Sequence, residues 1–163
     1  LCLCDWRYRK QRERIDDRIR HFTGSTLRLT DHVFSTRSVP SNDPTIPEVI
    51  REAVVQLNQY FNKTRQQFDV PLDPLGTAFQ KSVWDALQNI PYGETRSYKQ
   101  LAEQLQQPSA IRAVAAANGA NALSIFIPCH RIIGSSGELV GYAGGLPAKK
   151  RLLELEQPTL FDN

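Results

Sequence analysis

Pro128-Cys129-His130-Arg131 closes the apolar run Ile125-Phe126-Ile127 and sets a thiol, an imidazole and a guanidinium side by side. A thiol becomes a strong nucleophile on losing its proton, and a nearby imidazole or cation eases that loss. Pro128 biases Ile127 toward extended backbone and stiffens the approach to Cys129. Neighbouring side chains on extended backbone point apart, so adjacency alone leaves a buried structural cysteine as the commoner use of such a residue. Two other segments bear on the choice. Ala113-Val114-Ala115-Ala116-Ala117 leaves a helix face nearly bare, either for close helix packing or for close approach to a nucleic-acid groove with Arg112 projecting. Gly141-Tyr142-Ala143-Gly144-Gly145 is either a plain turn or a wall where backbone groups come close to a ligand. It lacks phosphate-loop spacing, which argues against a nucleotide cofactor.

The elements that must position these groups are legible in parts. Leu1-Cys2-Leu3-Cys4-Asp5-Trp6 alternates like a strand, and residues 7–21 form a charge-dense stretch of mixed sign. That stretch reads as an exposed, ion-paired helix with a narrow buried stripe, rather than as a basic patch. Residues 38–47 read as a loop, and Pro47 opens a helix with Val49, Ile50, Ala53, Val54, Leu57, Tyr60 and Phe61 at helical spacing. Asp73-Pro74-Leu75-Gly76 turns the chain and marks a domain boundary. Thr77-x-x-Gln80 and Ser97-x-x-Gln100 are capping boxes that start two helices, the first ended by Pro91-Tyr92-Gly93. Pro108 starts a further helix that stops at Asn118-Gly119. The short helices on either side of a turn of about three residues have a helix-turn-helix outline. Residues 124–127 read as a strand, 134–137 as a turn and 147–156 as a last helix.

The 163 residues suffice for one good core or two small subdomains sharing one. A formal net charge of +3 is mildly basic, compatible with nucleic acid without identifying it. No apolar run approaches a membrane span, and Leu1 opens no secretory pattern. Three cysteines make no disulfide framework, so a reducing, cytoplasmic compartment is expected. The sequence contains no methionine, so the natural start is absent and the first element is expected to be incomplete.

GTAFQKSVWDAL, IPYGETRSYKQLAEQL, SAIRAVAAANGAN, IPCHRIIGSSGELVGYAGGL and KKRLLELE follow one another in order over residues 76–156. Together they resemble the O6-alkylguanine-DNA alkyltransferases, the methylated-DNA–protein-cysteine methyltransferases. The resemblance implies an α+β protein. Residues 1–75 would be a reduced N-terminal α/β domain with a short antiparallel sheet. Residues 76–163 would be a mostly helical DNA-binding and catalytic domain containing a helix-turn-helix of winged-helix-like form.

By the same resemblance, Cys129 accepts a methyl or alkyl group from guanine O6, with O4 of thymine as a second target. His130 takes the thiol proton through a water, Glu156 orients that imidazole, and Asn121 braces the turn. Tyr98 hydrogen-bonds the base and crowds the target phosphate, and the Ala143 N–H donates to O6. Carbonyls at Cys129 and Ile132 accept from the guanine amino group, and Tyr142 with Gly144 completes the pocket. Arg112 fills the gap left by a flipped base while Ala113 and Ala116 let the helix enter the minor groove. Thr95 is a phosphate contact, and Lys99 a further candidate. Each molecule reacts once, as a monomer on double-stranded DNA, with no cofactor. Cys2, Cys4, His21 and His32 are ligand-capable, but their spacing fits no zinc signature, so no metal is expected.

Three rival readings remain. A non-catalytic relative that recognises alkylated DNA would lack the acceptor cysteine. A helix-turn-helix regulator would carry polar base-reading side chains where this helix carries alanines. A cysteine hydrolase would turn over repeatedly.

Overall fold

The computed structural model describes residues 47–161. The strand expected at residues 1–6, the charged helix at 7–21, most of the loop at 38–47, the antiparallel sheet and the ligand-capable Cys2, Cys4, His21 and His32 lie outside the described residues.

Helix α1 (Glu48–Phe61) follows Pro47, whose φ of −53° is already helical, and Glu48 adds an acid to its first turn. Its apolar spacing overstates burial at the start. Val49 and Ile50 are exposed, while Gln56 and Tyr60 are buried. The helix docks by its C-terminal half, where these two polar side chains find partners: Gln56 hydrogen-bonds Asp69 and Tyr60 hydrogen-bonds Glu156.

Helix α2 (Ala78–Gln88) begins at the predicted box: the Gln80 N–H donates to Thr77 Oγ1 at 3.2 Å, and the Thr77 N–H donates to Gln80 Oε1 at 2.9 Å. Strand β1 (Arg96–Ser97) leads directly into α3 (Tyr98–Gln104), which Ser97 and Gln100 cap in the same reciprocal way. β1 pairs in parallel with β2 (Ile132–Ile133), Arg96 opposite Ile132 and Ser97 opposite Ile133. This small sheet ties the entry to α3 to the chain leaving the cysteine turn.

Helix α4 (Ile111–Gly119) starts three residues later than Pro108 suggests. Residues 105–110 separate it from α3, a longer connection than the three-residue turn expected. Gln106 takes a left-handed φ of 58°, and the Gln107 N–H turns back to the Ala102 carbonyl at 2.9 Å. Helical bonding resumes with the Val114 N–H on the Ala110 carbonyl. Residues 124–127, expected as a strand, make only an isolated bridge between Ser124 and Ile127. A φ of 78° at Ile125 breaks the extended run. Helix α5 (Leu146–Glu156) begins one residue earlier than predicted, with Pro147 in its first turn and Gly145 at φ 84° before it.

The core gathers Val83, Trp84 and Leu87 of α2, Leu101 of α3, Val114 of α4 and Ile127 and Ile132 beside the cysteine. The Trp84 indole N–H donates to the Ala117 carbonyl at 2.9 Å, so α2 and α4 are held by a directed bond as well as by apolar burial. Among the described residues no helix is long and apolar enough to cross a membrane.

Candidate active site

Cys129 opens a single 3-10 turn, Cys129–Arg131, fully within the core. Pro128 at φ −80° and ψ 60° is the centre of an inverse γ-turn, closed by the Cys129 N–H on the Ile127 carbonyl at 2.8 Å. Asn121 braces this bend from below: its Nδ2 donates to the Ile127 carbonyl at 2.9 Å and its Oδ1 accepts from the Leu123 N–H at 3.0 Å. The tight turn also removes the objection from adjacency, because Cys129 and His130 no longer alternate along a strand.

Cys129 is 4% exposed, and its Sγ lies 4.0 Å from Ser124 Oγ. Burial pushes the thiol above its ordinary value, partly offset by hydrogen bonds from Asn121 and Ser124 and by the charge of Lys149. The resting sulfur is therefore a thiol that needs a base.

Behind it, His130 is fully buried, and its Nε2 stands 2.9 Å from Glu156 Oε1. Burial alone would raise the Glu156 carboxyl, but hydrogen bonds and charge from His130 and Arg131 outweigh it and bring it down to about 2. An ionised carboxylate only accepts, so His130 Nε2 carries the hydrogen and Nδ1 of the neutral ring bears the free lone pair. That Nδ1 is buried and has no hydrogen-bond partner. Burial also lowers His130 below its usual value, against the pull of Glu156, which keeps the ring neutral and ready to accept.

Arg131 departs from its expected part. Rather than serving the thiol, it clamps Glu156 from Nε and Nη2, both at 2.9 Å, and donates from Nη1 to the Ile90 carbonyl at 2.5 Å. A planar guanidinium suits this bidentate hold. The Gly93 N–H adds a bond to Glu156 Oε2 at 3.1 Å.

The cation that does act on the thiol is Lys149. It is fully buried on α5, and its Nζ donates to the Val140 carbonyl at 2.6 Å and to the Gly141 carbonyl at 3.3 Å. Burial lowers it to about 8, against the pull of Cys129. Sequence reasoning passed over Lys149 and Tyr60. Lys149 reads like its exposed neighbour Lys150, and Tyr60 reads as one more apolar helix position.

Tyr98 and Tyr142 are half-buried and stand close enough to Cys129 for its charge to raise both phenols further, after burial as the main cause. Gly141 sits at φ +50°, and a Cβ there would lie 3.3 Å from the Tyr98 hydroxyl, so a bare backbone lets the two segments meet. Ala143 and Gly144 are exposed on the same connection between β2 and α5. The Ile132 side chain is in the core, leaving its backbone as the part that can line a site. The Cys129 carbonyl accepts from the Ile132 N–H and keeps a second lone pair.

The structure thus gathers Asn121, Tyr98 and Tyr142 near the Cys129 sulfur, with the His130–Glu156 pair starting from the next residue of the same turn. The remaining candidates lie elsewhere. On α4, Arg112, Ala113 and Ala116 are exposed while Val114, Ala117 and Asn118 face the core. Thr95 lines an open cavity of about 430 Å³ together with Arg96, Ser97 and Lys99.

Residues 78–158 match the family model described as 6-O-methylguanine DNA methyltransferase, DNA binding domain. A methylated-DNA–protein-cysteine methyltransferase of Mycobacterium tuberculosis is 53% identical over 122 residues, covering 71% of this chain and 74% of the relative. One of Mycolicibacterium paratuberculosis is 52% identical over 144 residues, covering 85% and 86%. The crystal structure of Mycobacterium tuberculosis OGT in complex with DNA superposes with a TM-score of 0.64 at 55% identity, covering 68% of this chain and 73% of that one.

Proposed function

The chain belongs to the methylated-DNA–protein-cysteine methyltransferase family, and from that premise we propose that it removes the alkyl group from guanine O6 in duplex DNA by taking it irreversibly onto Cys129. One observation carries the mechanism: a neutral His130 ring pinned by Glu156 at Nε2, with its buried Nδ1 lone pair unused, on the residue next to Cys129 in the same turn.

In this reading one water passes the Cys129 proton to His130 Nδ1 as sulfur attacks the alkyl carbon in line. The S–C bond forms, the C–O6 bond breaks, and its electron pair stays on the guanine. The released base is then reprotonated, so the net exchange is thiol for thioether and alkylated guanine for guanine. Glu156 stabilises the transient imidazolium. The Tyr98 hydroxyl and the Ala143 N–H meet the charge that develops on the leaving base. Carbonyls of Cys129 and Ile132 select guanine through its amino group, and Tyr142 and Gly144 wall the pocket. O4-alkylthymine fits the same displacement chemistry.

The alkylated nucleotide leaves the stack to reach the sulfur. Helices α3 and α4 act as a helix-turn-helix, with α4 in the minor groove. Arg112 fills the vacated space, Ala113 and Ala116 allow close approach, and Thr95 contacts a phosphate. A thioether has no easy hydrolytic exit, so one monomer serves one lesion, in the reducing cytoplasm.

The test is incubation with a duplex containing O6-methylguanine, followed by peptide mass mapping. One methyl group is expected on the peptide carrying Cys129, and none after Cys129→Ser. Repeated turnover, or methyl on Cys2 or Cys4, would count against the mechanism.

A further inference from the structure

Glu156 receives more donors than its task with His130 requires. Oε1 accepts from Tyr60 Oη at 2.7 Å, His130 Nε2 at 2.9 Å and Arg131 Nη2 at 2.9 Å. Oε2 accepts from Arg131 Nε at 2.9 Å and the Gly93 N–H at 3.1 Å. A carboxylate offers about four lone-pair sites, so five donors saturate it. Tyr60 is distinct among them: it comes from α1, 96 positions away in sequence, and competes with His130 for the same oxygen.

On the reading that Glu156 backs the base, we propose that Tyr60 is a positioning residue whose hydroxyl occupies Glu156 Oε1 and so limits how tightly that carboxylate holds the His130 proton. Two roles can be separated by what remains without it. Anchoring does not depend on Tyr60, since the bidentate Arg131 and the Gly93 N–H still fix the carboxylate. Competition for Oε1 does. The phenol is fully buried, and burial, then Glu156, raises it far above its ordinary value, so it remains a donor throughout the working pH range. Its ring is held independently of the hydroxyl, by Phe61, Phe68 and Tyr92 at centroid distances of 5.3, 5.4 and 6.0 Å. Phenylalanine can therefore replace it with the packing intact.

The groups facing His130 set the sign. Glu156 and Lys149 approach from α5, Cys129 and Arg131 share its turn, Tyr60 reaches Glu156 from α1, and Tyr92 stands over Arg131 from the connection after α2. Tyr60→Phe removes a donor dipole from Oε1 and leaves every formal charge in place. Oε1 then binds the imidazole N–H more strongly and favours the protonated ring. His130 must be neutral to accept the thiol proton, so the acid limb of the reaction moves to higher pH.

The experiment follows the His130 ring signals by NMR across pH in the wild-type chain and Tyr60→Phe. It is joined to single-turnover methyl transfer from an O6-methylguanine duplex. His130 is expected to titrate higher in Tyr60→Phe, by a few tenths to about one pH unit, and the acid limb of the transfer profile to follow. An unmoved or lowered His130 titration in a folded Tyr60→Phe overturns the proposal, because a purely packing role leaves it unmoved. A fluorinated tyrosine placed at position 60 donates more strongly and is expected to shift His130 downward; an upward shift or none overturns the proposal even if Tyr60→Phe fails to fold. Absence of methyl transfer by the wild-type chain refutes the repair reading separately, while the titration still decides the role of Tyr60.

Discussion

At the scale of single residues, the candidate site is knit together by one buried carboxylate. Glu156 joins His130, Arg131, Tyr60 and the Gly93 amide, so removing its charge strands a buried guanidinium. Glu156→Gln is expected to cost about 3–5 kcal/mol of stability, the usual penalty for breaking a buried pair from one side. The pH dependence follows from its depressed carboxyl, about 2 against an ordinary 4.5. A carboxylate held below its unfolded value stabilises the fold above pH 4.5, and that contribution is lost as pH falls toward 2. Thermal unfolding measured between these pH values should show wild type losing on the order of 3 kcal/mol. Glu156→Gln should lose clearly less over the same window. Parallel curves for the two proteins would mean that the carboxylate does not titrate as its partners dictate.

At the scale of elements, α4 has two unlike faces. Val114, Ala117 and Asn118 pack inward, which leaves Arg112 outward together with the small side chains of Ala113 and Ala116. Substitution of an exposed residue at the helix start scarcely touches the core, so Arg112→Ala should keep its melting temperature. Its cost should appear in duplex repair, where an extruded base leaves a stacking gap worth a few kcal/mol, slowing the reaction about tenfold or more. Reaction with the free alkylated base needs no extrusion and should be nearly unchanged. Single-turnover rates on both substrates decide the matter, and equal slowing would remove the gap-filling role of Arg112. The other elements were unevenly legible. Both capping boxes announced their helices because Thr77, Gln80, Ser97 and Gln100 satisfy backbone donors locally. The start of α4 was misjudged because Pro108 permits a helix start without requiring one, and Ser109 does not cap it. Ile125 misled for a related reason: its branched side chain suggests a strand, yet the loop holds it at φ 78°.

At the scale of the molecule, the active site is where distant parts converge. Tyr60 comes from α1, on the far side of the boundary that the sequence suggests after residue 75, yet it bonds to the last residue of α5. Arg131 reaches back to Ile90, and the Tyr92 hydroxyl donates to the Leu155 carbonyl at 3.2 Å. The formal charge of +3 gives the whole chain a weak net attraction for a polyanion. Binding to undamaged duplex should accordingly weaken steeply with salt and differ little among sequences, as phosphate contacts dictate. Titrations of two unrelated duplexes at several salt concentrations check this; affinity that ignores salt would exclude a phosphate-led mode.

Read alone, the chain of residues determined what depends on local chemistry and ordered motifs. The candidate nucleophile and its neighbour, the two helix starts, the bare alanine face and the run of motifs from Gly76 to Glu156 are all written in short spans of sequence. Tertiary structure decided whatever depends on partners far apart in sequence. Arg131 belongs to Glu156 rather than to the thiol, Lys149 is the buried cation where Lys150 is an exposed one, and Tyr60 is a buried donor to Glu156. The physical reason is common to all three. A charged or hydroxyl-bearing side chain takes its role from burial and from the partner it meets there, and neither is set until the helices have packed.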